Sequence, residues 1–255
     1  MMRDKIVFIT GATSGIGEAC AIKFATQGAR LILNARNKEK LDAFKKHLEK
    51  EFAADIMPLL FDVRDRAEAK KQIEDLASNW QAIDVLINNA GLVIGIEKEF
   101  EGDLDEWDIV IDTNIKGLLN ITRLVVPLML KHQKGQIINI GSIAGEGAYP
   151  GGSVYCATKA AVKALSDGLR IDLVDTPLRV CNVKPGMVET NFSVCRFRGD
   201  KAKADQVYAG IKPMTGEDIA EILSYVANTP PHIQIAEILV MPTKQATATI
   251  VHKNK

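Results

Sequence analysis

Ser142, Tyr155 and Lys159 bring a hydroxyl, a phenol and an ammonium close together along the chain, and Tyr155 and Lys159 are four residues apart. On a helix, residues i and i+4 share a face, so the ammonium lies beside the phenol and favours its ionised form. Ionising a tyrosine of pKa near 10 at neutral pH costs about 4 kcal/mol, and a neighbouring cation recovers roughly 1 to 3 pH units of that. The phenol could then act as a base. A Tyr-x-x-x-Lys pair also occurs on ordinary helix surfaces, so its meaning depends on the elements that would position it.

Those elements follow a regular alternation. Short β-branched runs at 5–10, 30–35, 56–61, 83–88, 136–141, 178–184 and 237–241 alternate with helical patterns at 15–27, 38–51, 64–79, 104–132, 153–175 and 216–228. Seven such strands separated by helices predict a doubly wound α/β fold with a parallel sheet covered on both faces. Ligands in these sheets bind beyond the carboxyl ends of the strands. Gly11, Asp62, Asn89-Ala90-Gly91, Ser142 and Pro185-Gly186 all directly follow predicted strands. The long irregular stretch from Pro185 to about Lys201 has the length of a functional loop.

After the first strand comes Thr10-Gly11-Ala12-Thr13-Ser14-Gly15-Ile16-Gly17, opening a helix. Glycines let the backbone approach a pyrophosphate, and the helix N-terminus offers it free N–H groups and positive potential. The spacing is Gly-x3-Gly-x-Gly rather than the general Gly-x-Gly-x-x-Gly dinucleotide fingerprint. At the end of the second strand, a carboxylate would bind the ribose 2′-hydroxyl of NAD and an arginine would accommodate the 2′-phosphate of NADP. The segment Leu33-Asn34-Ala35-Arg36-Asn37-Lys38 has no acid there. Arg36 is the candidate phosphate ligand, assisted by Asn37 or Lys38; alternatively it begins a solvated basic helix.

The 255 residues, 47% hydrophobic, suffice for one domain spanning 1–255. Thirty-two basic and 32 acidic residues cancel, so no overall field points to nucleic acid or an anionic membrane. The apolar run Ile6 to Thr10 is short for a signal-peptide core, and Leu118 to Leu130, interrupted by Asn120 and Arg123, falls short of a membrane span. Cys20, Cys156, Cys181 and Cys195 and the four histidines are scattered, suggesting neither disulfides nor a metal site. A cytoplasmic location fits that usage, and Cys156 reads as a packing residue.

Thr10 to Gly17, Asn88-Asn89-Ala90-Gly91, Asn114, Ser142, Tyr155, Lys159 and Pro185-Gly186, in this order, resemble the short-chain dehydrogenase/reductase family over essentially the whole chain. The resemblance implies a Rossmann-type sheet, bound NAD(P), and hydride transfer between the nicotinamide and a carbinol or carbonyl carbon. It makes Tyr155 the acid/base, Lys159 the residue that lowers its pKa and holds the nicotinamide ribose, Ser142 the substrate-oxygen ligand and Asn114 a proton-relay residue. It also implies that Gly11, Thr13, Ser14, Gly15, Ile16 and Gly17 cradle the cofactor. Asp62-Val63 would bind adenine, Asn89 and Gly91 would lie beneath the adenosine ribose, and Pro185-Gly186, Val188 and Thr190 would cover the nicotinamide.

A narrower resemblance, to the NADP-dependent 3-hydroxy acid dehydrogenases within that family, rests on Asp112 to Leu118, Ile138 to Ser142 and, above all, Asn191-Phe192-Ser193-Val194-Cys195-Arg196-Phe197-Arg198-Gly199-Asp200. It implies NADP(H) and small substrates such as serine, L-allo-threonine, or 3-hydroxypropionate and malonic semialdehyde. Such substrates carry a carboxylate, which calls for a cation, preferably a bidentate guanidinium. Arg196 is the candidate clamp and Arg198 the alternative; either could instead pair with Asp200 or contact another subunit. Asn37 stands where that subgroup can carry a second arginine. A 3-oxoacyl-thioester reductase would share the same catalytic residues, and a non-catalytic dinucleotide-binding protein would share the fold. The family implies a homotetramer, consistent with the apolar excess on the helices predicted at 104–132 and 153–175.

Overall fold

The computed structural model describes residues 2–254. Seven parallel strands, β1 (Ile6–Ile9), β2 (Arg30–Ala35), β3 (Ile56–Leu60), β4 (Val85–Asn88), β5 (Gln136–Ile140), β6 (Arg179–Pro185) and β7 (Glu237–Val240), form one sheet in the order β3-β2-β1-β4-β5-β6-β7. The order reverses between β1 and β4, which opens a crevice at the carboxyl ends of those strands.

Alternation along the strands divides the core. Val7 and Ile9 of β1 pack with Phe24 of helix α1 (Gly15–Thr26), Leu41 and Leu48 of α2 (Lys38–Phe52), and Ile219 and Leu223 of α9 (Gly216–Ala227). Ile6 and Phe8 point to the opposite face. There they meet Ile73 of α3 (Arg66–Glu74) and Ile121, Val125 and Met129 of α5 (Leu118–Lys131). Both faces are covered, as the near-continuous apolar strands require.

Three predicted elements differ. The helix expected at 64–79 runs only from Arg66 to Glu74, because Asp65 accepts hydrogen bonds from the N–H groups of Ala67 and Glu68 and thereby caps it; a 3₁₀ turn, Ser78–Trp80, follows. The helix expected at 104–132 consists of α4 (Leu104–Ile111) and α5 joined by a π-helical segment, Asp112–Gly117. The bulge seats Asn114 against the β4 loop, and Gly117 lies so close to Val63 that a Cβ there would sit 2.6 Å from its Cγ2. The stretch 185–201 is not wholly irregular: α7 (Phe192–Arg196) interrupts it, and α8 (Lys201–Gln206) starts where Asp200 caps the N–H of Lys203. Helix α6 (Ser153–Asp172) spans the predicted range apart from its last three residues and carries both Tyr155 and Lys159.

Candidate active site

The glycine loop leaves β1 in a conformation that its sequence dictates. Gly11 and Gly15 have φ of +63° and +56°, the left-handed region open to glycine, and a Cβ at Gly17 would collide with the Gly11 carbonyl oxygen. The N-cap residue Ser14 makes no side-chain hydrogen bond to the helix start, so the first N–H groups of α1 remain free to meet an anion. Asn89 braces this loop from below by donating to the carbonyls of Thr10 and Gly11 at 2.9 and 3.1 Å. The Thr10 hydroxyl in turn accepts from the N–H groups of Asn89 and Ala90. The Asn89 side chain is thus spent on shaping the loop. Thr13 and Ile16 lie on the same turn, and the Thr190 side chain closes over it, 3.2 Å from where a Gly15 Cβ would stand.

At the end of β2, Arg36 is 59% exposed at its side chain and lies 3.5 Å from Asp62, a loose contact that leaves the guanidinium available. Asp62 is held mainly by Arg64. Burial acts to raise the Asp62 carboxyl, but hydrogen bonds from the Arg64 side chain and backbone, with the charges of Arg64 and Arg36, outweigh it and hold the group below its usual range. Asn37 caps α2 by accepting from the Lys40 N–H at 2.8 Å. Its side-chain oxygen is therefore committed to the helix. Val63, next to Asp62, is buried and fixed by its carbonyl, which accepts from Asn120 at 3.0 Å.

Ser142, Tyr155, Lys159, Asn114 and Gly91 converge where β4 and β5 end. Lys159 Nζ donates to the Ile140 carbonyl at 2.8 Å and lies 5.8 Å from the centre of the Tyr155 ring. A Cβ at Gly91 would lie 3.2 Å from the Asn114 amide oxygen and 3.6 Å from Lys159 Nζ, so this glycine lets the two approach. Asn114 accepts from Leu92 N–H and donates to the Leu92 carbonyl, both at 2.9 Å, and to Thr158 Oγ1 at 3.0 Å. Its side chain fixes the β4 loop to α6. The Ser142 hydroxyl accepts from Ala144 N–H at 3.1 Å at the start of a 3₁₀ turn.

Burial dominates the electrostatics of both Tyr155 and Lys159. It pushes the Tyr155 phenol above its ordinary value, with the Ser142 hydroxyl opposing, and pulls Lys159 down to about 8. The lysine spends its hydrogen bond on Ile140 rather than on the phenol. At neutral pH the phenol keeps its proton, the form that can donate to a carbonyl oxygen.

The segment after β6 closes the site. Gly186 N–H donates to Val240 O at 2.7 Å, and Val188 bridges to Met214. The C-terminal segment joins in: buried Gln245 accepts from Met187 N–H at 2.8 Å and sits directly against Gly186. Phe192 packs on Tyr155 with ring centres 5.5 Å apart. Arg196 stacks its guanidinium over Tyr149 at 5.1 Å, and its Nε is buried with no hydrogen-bond partner among the described residues. Arg198, the alternative clamp, is already taken: it pairs with Glu97 and Glu106 at 2.7 Å each. Asp200, the predicted partner of either arginine, instead pairs with Lys203. A small recess beside Tyr155 is lined by Val93, Gly95, Trp107 and Gly152 among others.

Known proteins are similar to this chain over nearly its whole length. A family profile described as short chain dehydrogenase matches residues 5–200. An NADP-dependent 3-hydroxy acid dehydrogenase of Schizosaccharomyces pombe is 42% identical over 252 residues, covering 98% of this chain and 97% of the relative. A sulfoacetaldehyde reductase of Chromohalobacter salexigens is 42% identical over 241 residues, covering 94% of each chain. Among solved structures, the closed form of a serine dehydrogenase complexed with NADP+ superposes with a TM-score of 0.91 at 41% identity, covering 98% of this chain and 100% of the other.

Proposed function

Because the chain belongs to the short-chain dehydrogenase family, we propose that it transfers a hydride between NADP(H) and a short 3-hydroxy acid or the corresponding 3-oxo acid, of the serine, L-allo-threonine or 3-hydroxypropionate and malonic semialdehyde type. The uncapped α1 N-terminus and the side-chain-free Gly17 fit a pyrophosphate, and exposed Arg36, with no acid beside it on β2, fits a 2′-phosphate. Bound NADP(H) would supply the hydride donor or acceptor. Gly11 to Gly17 would hold its pyrophosphate, Asp62 and Val63 its adenine, and Lys159 its nicotinamide ribose, with Pro185, Gly186, Val188 and Thr190 over the nicotinamide.

Tyr155 holds a proton on its hydroxyl and gives it to the substrate carbonyl oxygen in reduction; in oxidation the ionised phenol takes the proton from the alcohol. Ser142 orients that oxygen. Asn114, through its bonds to Leu92 and Thr158, keeps the β4 loop and α6 in register beneath Lys159. Arg196 receives the anionic end of the substrate.

The single observation that carries the substrate class is the Arg196 guanidinium, stacked over Tyr149 on the wall shared with Tyr155 and, unlike Arg198, paired with no carboxylate among the described residues. A partly buried guanidinium without a carboxylate partner suits an anion. A sulfonate could satisfy the same guanidinium, and the sulfoacetaldehyde reductase relative gives that reading its support. Replacing Arg196 with Ala tests the assignment: kcat/KM should fall about 100-fold on a 3-hydroxy acid and less than about threefold on a neutral secondary alcohol. Equal losses would refute it.

The reading includes a cytoplasmic homotetramer without nucleic-acid or membrane partners. Leu104 and Leu119 on α4 and α5, and Ile171 on α6, are exposed apolar residues that further copies of the chain would cover. No helix among the described residues is long and apolar enough to cross a membrane. Sedimentation of the purified protein tests the tetramer.

A further inference from the structure

We propose that Arg198 is a positioning residue that latches the segment Phe192–Gly199 over the active site, by clasping Glu97 and Glu106 across the mouth of the substrate recess. Arg198 comes from the turn after α7, Glu97 from the loop after β4 and Glu106 from α4, so one guanidinium joins three otherwise separate pieces of chain. Its Nε and Nη2 donate to the two oxygens of Glu106 at 2.7 Å each, and its Nη1 donates to Glu97 at 2.7 Å. The Glu106 pairing is the bidentate geometry in which arginine holds a carboxylate most firmly.

The surrounding backbone is shaped for the clasp. Ile96 N–H donates to Glu97 at 2.9 Å and aims its carboxylate. Gly95, at φ +80°, stands where any Cβ would run into the Glu97 carboxylate and lie 3.2 Å from Arg198 Nη2. Arg198 itself holds φ +51°, a left-handed conformation that non-glycine residues adopt at a cost and keep only where surrounding contacts enforce it. Beside the ion pairs, Gly95 N–H donates to the Arg196 carbonyl at 3.0 Å. The clasp and this hydrogen bond thus hold the main chain at Arg196 and just after it, where the Arg196 side chain lies on Tyr149 and Phe192 lies on Tyr155. The three partners remain partly solvated, with side chains 46%, 35% and 22% exposed for Arg198, Glu97 and Glu106, so the latch can release to admit substrate.

The consequence for KM rests on the reading that Arg196 receives the substrate anion; the consequence for loop order does not. In the full-length Arg198→Met protein saturated with NADP, amide hydrogen exchange in 192–200 should speed up about tenfold or more. KM for a 3-hydroxy acid should rise about 3- to 10-fold, kcat should change less, and the Kd for NADP should stay within about twofold. The bidentate pairing predicts that Arg198→Lys restores only part of the loss and that Glu106→Gln costs more than Glu97→Gln. Unchanged exchange and KM in Arg198→Met would overturn the latch, even if Arg196→Ala still lost activity selectively on acids. Faster exchange in Arg198→Met, with Arg196→Ala hitting acids and neutral alcohols alike, would uphold the latch and reject the anion reading.

Discussion

Replacing Lys159 with Met should abolish turnover while making the cofactor-free protein more stable. Lys159 is only 6% exposed, and burial alone pulls it from 10.5 to about 8. At about 1.36 kcal/mol per tenfold change, holding its ammonium inside the fold costs about 3 kcal/mol at neutral pH. Methionine fills similar space without a charge. Losing the donor to the Ile140 carbonyl returns about 1 kcal/mol of that. The net gain of about 2 kcal/mol corresponds to about 4–8 °C in Tm for a chain of this size. The pH dependence fixes the sign. Between about 8 and 10.5 the unfolded chain carries the extra proton, so the wild-type protein gains stability as pH rises through that window, whereas below it the full cost is constant. The gap between variant and wild type should therefore be largest at pH 7.5 and close toward pH 10.5. Other titrating groups are common to both proteins and cancel in the difference. Thermal unfolding followed by circular dichroism at pH 7.5, 9 and 10.5, without NADP, measures it. A variant less stable than wild type at pH 7.5, or a gap that does not narrow with pH, would refute the reasoning.

Arg36→Ala should lower kcat/KM for NADP by about 10- to 100-fold and leave that for NAD within about twofold, read from steady-state kinetics with both cofactors. Because burial raises the Tyr155 phenol, oxidation, which needs it ionised, should accelerate about tenfold per pH unit from pH 7 to 10, while reduction, which needs it protonated, should stay nearly flat over the same range. Initial rates in the two directions across that pH range decide this, and a pH-independent oxidation rate would contradict the assignment of the base.

The sheet was legible because a parallel strand covered on both faces is apolar throughout, and all seven strands lie within a residue or two of their sequence-based bounds. The convergence of Ser142, Tyr155 and Lys159 was legible for a local reason: one helix carries two of them, and a strand end carries the third. What stayed hidden depends on contacts between distant parts of the chain. The π-helical turn at Asn114 is invisible to periodicity because what it brings about is a contact with the Leu92 backbone, 22 residues away. The pairing of Arg198 with Glu106 and Glu97 was hidden because those residues, 92 and 101 positions away in sequence, meet it only in the fold. The role of Gln245 depends on Met187, 58 residues earlier. Burial of the Tyr155 phenol was not legible either, because spacing reveals a neighbouring charge but not the desolvation that surrounds it.

Steady-state kcat/KM with NADP and NAD on serine, L-allo-threonine, 3-hydroxypropionate and an acyl-thioester analogue tests the central claim most directly. The account predicts turnover of at least one short 3-hydroxy acid, with NADP preferred over NAD and the thioester poorer by about tenfold or more. Preference for the thioester, or no turnover of any short acid with NADP, would contradict it.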